Sequence, residues 1–167
     1  MNRKRAILSM SVLFICSSIG ALSASAQQFG SNELVQATKF LQDKPYDKNA
    51  PAIRAMAVNY VMVTKDVTVI VCGGDITKPF LDKKNKNSTE LVAQYTIAMA
   101  AIKILNPGLT DENVVQLAAL NSVLKTYEAM IKEKPKTRFE GMDEYIVKRD
   151  KGELEALVAS VGCGKKS

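Results

Sequence analysis

The fold is decided by residues 87–135, which read NSTELVAQYTIAMAAIKILNPGLTDENVVQLAALNSVLKTYEAMIKEKP. Apolar residues recur there at helical spacing, first from Leu91 to Leu105 and again from Val114 to Ile131. Asn106-Pro107-Gly108 lies between the two runs, and such a sequence ends a helix. The stretch therefore predicts two helices joined by about four residues, which should pack as an antiparallel pair.

Residues that favour helix starts flank these runs. We expect Asn87 and Glu90 to form a capping box before the first helix, and Thr110 to cap the second. The remaining helices follow from the same spacing. They are a helix capped by Asn32 that ends before Asp43, a second capped by Asn49, a single turn near 79–81, a short helix near 140–148 and a last helix capped by Asp150 with Glu153.

Residues 52–72 permit two interpretations. The apolar side chains suit one long buried helix, with Met56 and Met62 in the core. β-Branched residues dominate 67–72, however, and favour a strand after a break near Asp66. We expect the helix, with Asp66 on its exposed edge, because no other segment has the pattern of a strand that could pair with this one. The two glycines that follow are a typical helix stop.

The first 26 residues have the features of a secretory signal peptide. Arg3-Lys4-Arg5 forms a basic start, about ten apolar residues follow, and Ala24-Ser25-Ala26 is a typical cleavage sequence. The apolar part is too short to span a bilayer. We expect cleavage after Ala26, export to the periplasm or beyond, no stable membrane insertion afterwards, and a single helical domain over residues 27–167.

Two cysteines, Cys72 and Cys163, remain after that cleavage. In an oxidising compartment an even number of cysteines indicates a disulfide, which here would close a loop of about 90 residues. The alternative is two free thiols, but no basic residue or second cysteine near Cys72 would activate it. We therefore expect an all-α, single-domain bundle of about five to six helices with a Cys72–Cys163 disulfide.

The charge balance gives only weak support for nucleic-acid binding. The chain has 23 basic and 17 acidic residues, but three of the basic residues lie in the leader, so the remainder has 20 and a net charge of +3. We expect no nucleic-acid partner. One basic run, Lys83-Lys84-Asn85-Lys86, contains no aromatic residue. It is either a solvated loop or a candidate interaction loop of Lys83, Lys84 and Lys86 towards an anionic partner.

The residue types present exclude several kinds of site. The sequence contains no His, and only two distant cysteines follow the leader, so a structural zinc site lacks ligands and a Ser-His-Asp triad lacks its base. No stretch has the spacing of an EF-hand or of a phosphate-binding glycine loop. We therefore predict no metal, no cofactor and no catalytic residue. Carboxylates alone remain for acid–base chemistry, and the candidates are Asp66, Asp75, Glu90 and Glu128.

Three functions are compatible with these features. The first is a binding protein that acts on another protein in the periplasm, as an inhibitor, an immunity protein or a chaperone-like factor. The second is a carrier that holds an apolar small molecule in a cavity between helices. The third is an enzyme that uses carboxylates alone. The absence of catalytic signatures favours the first, while the partner and the oligomeric state stay open.

Overall fold

The computed structural model describes residues 29–163, and within this range the protein has seven α-helices and no strand. The all-α prediction is confirmed, and the single turn α3 makes a seventh helix beyond the five to six expected. Single 3₁₀ turns lie at Gly74–Ile76 and Pro135–Thr137. The helices are α1 (Ser31–Asp43), α2 (Ala50–Val63), α3 (Lys78–Leu81), α4 (Ser88–Leu105), α5 (Glu112–Glu133), α6 (Glu140–Asp150) and α7 (Leu154–Val161).

α4 is the central helix, and it packs antiparallel to α5 as predicted. Lys103 near the end of α4 pairs with Glu112 at the start of α5, whereas Gln94 nearer the start of α4 reaches Ser122. α4 is buried on two sides. Residues on one side of α4 form part of a large hydrophobic cluster with residues of α5, α6 and α7. Residues on the other side form part of a small cluster with residues of α1 and α2.

Five predicted helix caps are wrong in detail. Asn49 does precede α2, but its side chain makes no capping bond. Asn87 does precede α4, but its side chain makes no capping bond, because it is hydrogen-bonded to a tyrosine of an earlier loop. α5 is capped by Asp111 rather than Thr110, and the Asp111 carboxylate accepts from a backbone N–H of the first turn at 2.9 Å. Asn32 and Asp150 lie inside α1 and α6.

The long helix predicted over 52–72 is wrong beyond Val63, where α2 ends. Residues 64–73 form neither helix nor strand. The Thr64 hydroxyl accepts from the Asp66 N–H at 3.1 Å, in a local turn that competes with the helix. The β-branched residues that follow lose side-chain freedom in a helix, so they do not favour the continuation of α2 as a helix. Asp66 therefore lies in a turn and not on the edge of a helix.

Cys72 and Cys163 are paired as predicted, with Cα atoms 6.0 Å apart. Cys72 lies in the non-helical segment 64–73, not at the end of a long second helix. Cys163 follows α7, which ends at Gly162 in the left-handed conformation (φ 65°). The disulfide therefore anchors the segment after α2 to the C-terminal part of the large cluster.

The predicted signal peptide, residues 1–26, lies outside the described residues, and so does the tail 164–167. Cleavage after Ala26 and the domain limits 27–167 stay predictions. Among the helices of residues 29–163, none has both the length and the apolar character that crossing a bilayer requires.

Candidate functional site

α2 is an apolar helix with much of its surface uncovered. It contains a single charged residue, Arg54, yet only two alanines in it are buried. Met56, Met62 and Val63 are 48%, 78% and 67% exposed. The expectation that Met56 and Met62 belong to the core is wrong, because α1 and α4 pack against only one side of α2. We call the exposed side the bare face of α2, and it consists of Pro51, Ala52, Ala55, Met56, Asn59, Met62 and Val63.

A recess of about 460 Å³ opens beside the bare face of α2. The rings of Phe29 and Tyr60 form part of its wall, with centroids 5.9 Å apart. Met56 and Val63 line it from the helix, and the carboxylate residue Asp66 lies at its rim. The recess therefore combines apolar side chains with the polar residues Asn59 and Thr64 and a single acidic group.

Asp66 is held by two hydroxyl groups. The Tyr60 hydroxyl donates to Asp66 Oδ2 at 2.8 Å, and the Ser31 hydroxyl donates to the same oxygen at 3.3 Å. These hydrogen bonds, that of Tyr60 first, lower the pKa of Asp66 below its ordinary value, so the carboxylate is ionised at neutral pH. A general acid would need the opposite shift. Asp66 thus supplies a fixed negative charge next to the apolar recess.

Side chains, and not a partner strand, hold residues 64–73 on the bundle. The ammonium group of Lys103 in α4 donates a hydrogen bond to the Thr68 carbonyl oxygen at 2.9 Å. Gln116 of α5 donates its amide N–H to the Ile70 carbonyl at 2.6 Å. The segment is therefore fixed at two carbonyls by residues from two different helices.

Sequence reasoning did not identify two buried glutamines that organise this region. Gln94 donates to the Thr38 carbonyl at 3.1 Å and to the Ser122 hydroxyl at 2.9 Å, which links α1, α4 and α5. Gln116 accepts from the Tyr95 hydroxyl while its N–H groups face the segment. Each glutamine interrupts an apolar run at core spacing, and that interruption is the signal that could have found them.

The structure places the basic run in the exposed part of the loop between α3 and α4. Tyr46 fixes this loop, because its hydroxyl donates to Asn87 Oδ1 while its ring lies 3.6 Å below the Lys134 ammonium. Tyr46 therefore joins the loop to the end of α5. The use of the run as an interaction loop stays a prediction for its three exposed lysines, Lys83, Lys84 and Lys86.

The four acidic residues considered for catalysis have different surroundings. Glu128 forms a bidentate ion pair with Arg149, at 2.7 and 2.9 Å. Asp75 lies in a 3₁₀ turn, Glu90 lies in the first turn of α4, and Asp66 is bound by hydroxyl groups. Carboxylate catalysis would require two of them to face each other across a cleft, and this stays a prediction. In the part of the chain from 29 to 163, no cluster of three acidic or cysteine side chains could hold a metal ion.

A second recess, of about 320 Å³, lies in the groove between α1, α4 and α5. Alanines and other apolar side chains form most of its lining, and Lys39 and Lys125 stand exposed on its rim. The carrier hypothesis predicts a closed cavity between helices, whereas this groove is open to solvent.

Neither a protein family, nor a curated protein, nor a solved structure matches this chain significantly. A function must therefore be inferred from the residues of these surfaces.

Proposed function

We propose that the chain is an exported binding protein that presents the bare face of α2 to another protein in the periplasm. The observation that carries this proposal is the uncovered apolar surface of Met56, Met62 and Val63. Folded monomers rarely leave neighbouring large apolar side chains in water, and such patches commonly mark protein interfaces. An inhibitor, an immunity protein or a chaperone-like factor needs only a rigid surface of this kind.

The recess beside α2 indicates the chemistry of the partner. An apolar anchor side chain would fill the space between Phe29, Met56 and Val63. A cationic group of the partner would lie opposite the Asp66 carboxylate, which hydrogen bonds from Tyr60 and Ser31 hold in place. A partner with an exposed aromatic or aliphatic residue next to Lys or Arg therefore fits the site best. The export of the chain is supported by the signal-like residues 1–26 and by the disulfide.

Site-specific crosslinking in the exporting cells tests the proposal. A photoreactive amino acid replaces Val63 in one variant and Ala159, an exposed residue of α7, in the control. We expect an adduct of one discrete mass from position 63, none from position 159, and loss of the adduct when Met56→Lys is added. Met56 is half exposed, so Met56→Lys should leave the melting temperature nearly unchanged. No adduct from position 63, or equal adducts from both positions, would contradict the proposal.

The groove between α1, α4 and α5 favours a second candidate, a carrier of an amphiphilic carboxylate. Its apolar lining would take the alkyl chain, and Lys39 or Lys125 would pair with the carboxylate. A fluorescent fatty acid is a suitable probe. Saturable binding that Lys39→Glu with Lys125→Glu weakens, and that Met56→Lys leaves unchanged, would favour the carrier over the binding protein.

A further inference from the structure

An unpaired backbone edge runs along residues 67–71, Val-Thr-Val-Ile-Val, which we call the 67–71 segment. Val67 and Val69 are half-buried against the hydrophobic clusters, whereas Thr68, Ile70 and Val71 are exposed. From Val67 to Ile70 the exposure alternates as it does in an extended chain, in which successive side chains point to opposite faces. Among residues 29–163, no backbone–backbone hydrogen bond involves the segment.

Only one edge of the segment is used by the bundle. The carbonyls of Thr68 and Ile70 accept from Lys103 and Gln116, so the edge formed by residues 68 and 70 faces α4 and α5. In an extended chain, the N–H and C=O of the next residue point the other way. Residues 67, 69 and 71 therefore present their backbone groups on the opposite edge. Within the described range those groups have no partner, and because unpaired backbone groups are rarely buried, this edge must face water.

The segment is held in place before any partner arrives. At one end Asp66 is bound by Tyr60, and at the other Cys72 is bound to Cys163. The segment contains no charge, proline or glycine, which are the features that normally prevent a strand edge from pairing. Its β-branched residues favour an extended conformation. Because the segment is already held in place, pairing would cost little conformational entropy.

We propose that this edge joins two copies of the chain in an antiparallel ribbon with a two-fold axis at Val69. In this register Val69 faces Val69 of the second copy, and Val67 faces Val71 of the second copy. Each of these pairs exchanges both its N–H and its C=O bonds, so every unpaired group on the edge is satisfied. Thr68 faces Ile70 of the second copy in the closer, non-hydrogen-bonded pair.

The same register is compatible with the charges that flank the segment. Lys65 would face Gly73 of the second copy, and Asp66 would face Cys72 of the second copy, so no like charges meet. In this register the free N–H and C=O groups of the edge match those of a second copy, which is why we assign the edge to a second copy. Because the interface is small, we expect a dissociation constant on the order of 10–100 μM. The inference goes beyond the proposed function, since it uses another surface and does not depend on it.

Charged substitutions at Thr68 and Ile70, which face each other across the proposed dimer, test it. Sedimentation of the oxidised, exported protein should show a concentration-dependent monomer–dimer equilibrium. Thr68→Lys with Ile70→Lys places like charges opposite each other, and we expect at least about tenfold weaker association. Thr68→Glu with Ile70→Lys places opposite charges there and should return the dissociation constant to within about threefold of the original. Met56→Lys serves as the matched control and should not change association.

Hydrogen exchange of the unmodified protein supplies an independent measurement. As the concentration rises, the amides of residues 67, 69 and 71 should exchange at least about tenfold more slowly, while those of Thr68 and Ile70 should not change. This measurement decides the question even if the charged variants fold poorly. A protein that stays monomeric up to about 1 mM, or a dimer that is indifferent to both charge variants, would overturn the proposal.

Discussion

The two hydrophobic clusters on either side of α4 differ in size and in composition. Within residues 29–163, nineteen residues are buried in the large cluster and seven in the small one, and four of those seven are alanines. The large cluster also contains the disulfide, whereas the small cluster is bounded by α1 and α2. Alanine lets helices approach closely but removes little apolar surface from water. The small cluster therefore covers α2 on one side only.

This difference leaves part of the apolar surface of α2 outside the packed core. The large side chains of α5, such as Leu120, Leu124 and Tyr127, are fully buried, while Met56, Met62 and Val63 of α2 face solvent. An apolar helix gains stability only from the surface that it buries. The uncovered methionines and valine of α2 thus contribute little to folding, which is expected of residues that serve a partner.

The largest effect should come from the disulfide that closes the large cluster. Removing both cysteines, with Cys72→Ala and Cys163→Ala, releases a loop of about 90 residues and should cost roughly 4 kcal/mol. The corresponding fall in melting temperature is on the order of 10–20 °C. Thermal unfolding followed by circular dichroism measures it. The reduced original protein should match the double variant, and an unchanged melting temperature on reduction would refute the stabilising role.

Matched leucine truncations compare the two clusters directly. Leu124 in the large cluster and Leu41 in the small one are both fully buried. Leu124→Ala should cost about 3–4 kcal/mol of unfolding free energy and Leu41→Ala about 2–3 kcal/mol, because the thinner cluster can relax into the space. Urea denaturation measures both. An equal or larger loss for Leu41→Ala would show that the small cluster is as tightly packed as the large one.

The helices α4 and α5 could be predicted because their signals are local. Apolar residues at helical spacing on both sides of Asn106-Pro107-Gly108 define the two helices and the turn between them. The end of α2 could not be predicted in the same way. Beyond the local turn at Thr64, the course of the chain after α2 involves contacts with residues distant in the sequence, Ser31 with Asp66 and Gln116 with Ile70. The choice between helix and strand for 67–72 therefore had no local answer, and neither form is present.

The candidate site could not be predicted from the sequence for a related reason. α2 is apolar around its circumference, a pattern typical of a fully buried helix. Which side stays exposed depends on where α1 and α4 pack, so Met56 and Met62 resemble core residues in the sequence. Caps were missed where a tertiary contact used the capping group, as with Asn87 and Tyr46. The disulfide was predictable because Cys72 and Cys163 are the two cysteines that follow the predicted leader.

A smaller effect should follow from removing the hydrogen bonds by which Gln94 links α1, α4 and α5. Gln94 is buried and donates to Thr38 of α1 and to Ser122 of α5. Gln94→Leu keeps a similar size but leaves both acceptors without this donor, which should cost about 1–3 kcal/mol. Urea denaturation measures it, with Gln36→Leu on the exposed side of α1 as the control. An unfolding midpoint equal to that of the original protein would mean that the link is not stabilising.

The smallest effect concerns Asp66, at the exposed end of the small cluster. Hydrogen bonds from Tyr60 and then Ser31 lower its pKa in the folded state, so it contributes stability above its unfolded pKa of about 3.9. That contribution should be lost as the pH falls through the lower folded pKa. Carboxyl NMR titration should give a midpoint for Asp66 below the unfolded value, and Tyr60→Phe should raise it, whereas Tyr46→Phe at the other end of the bundle should not. A midpoint at or above the unfolded value would show that the hydroxyl groups do not stabilise the ionised form of Asp66.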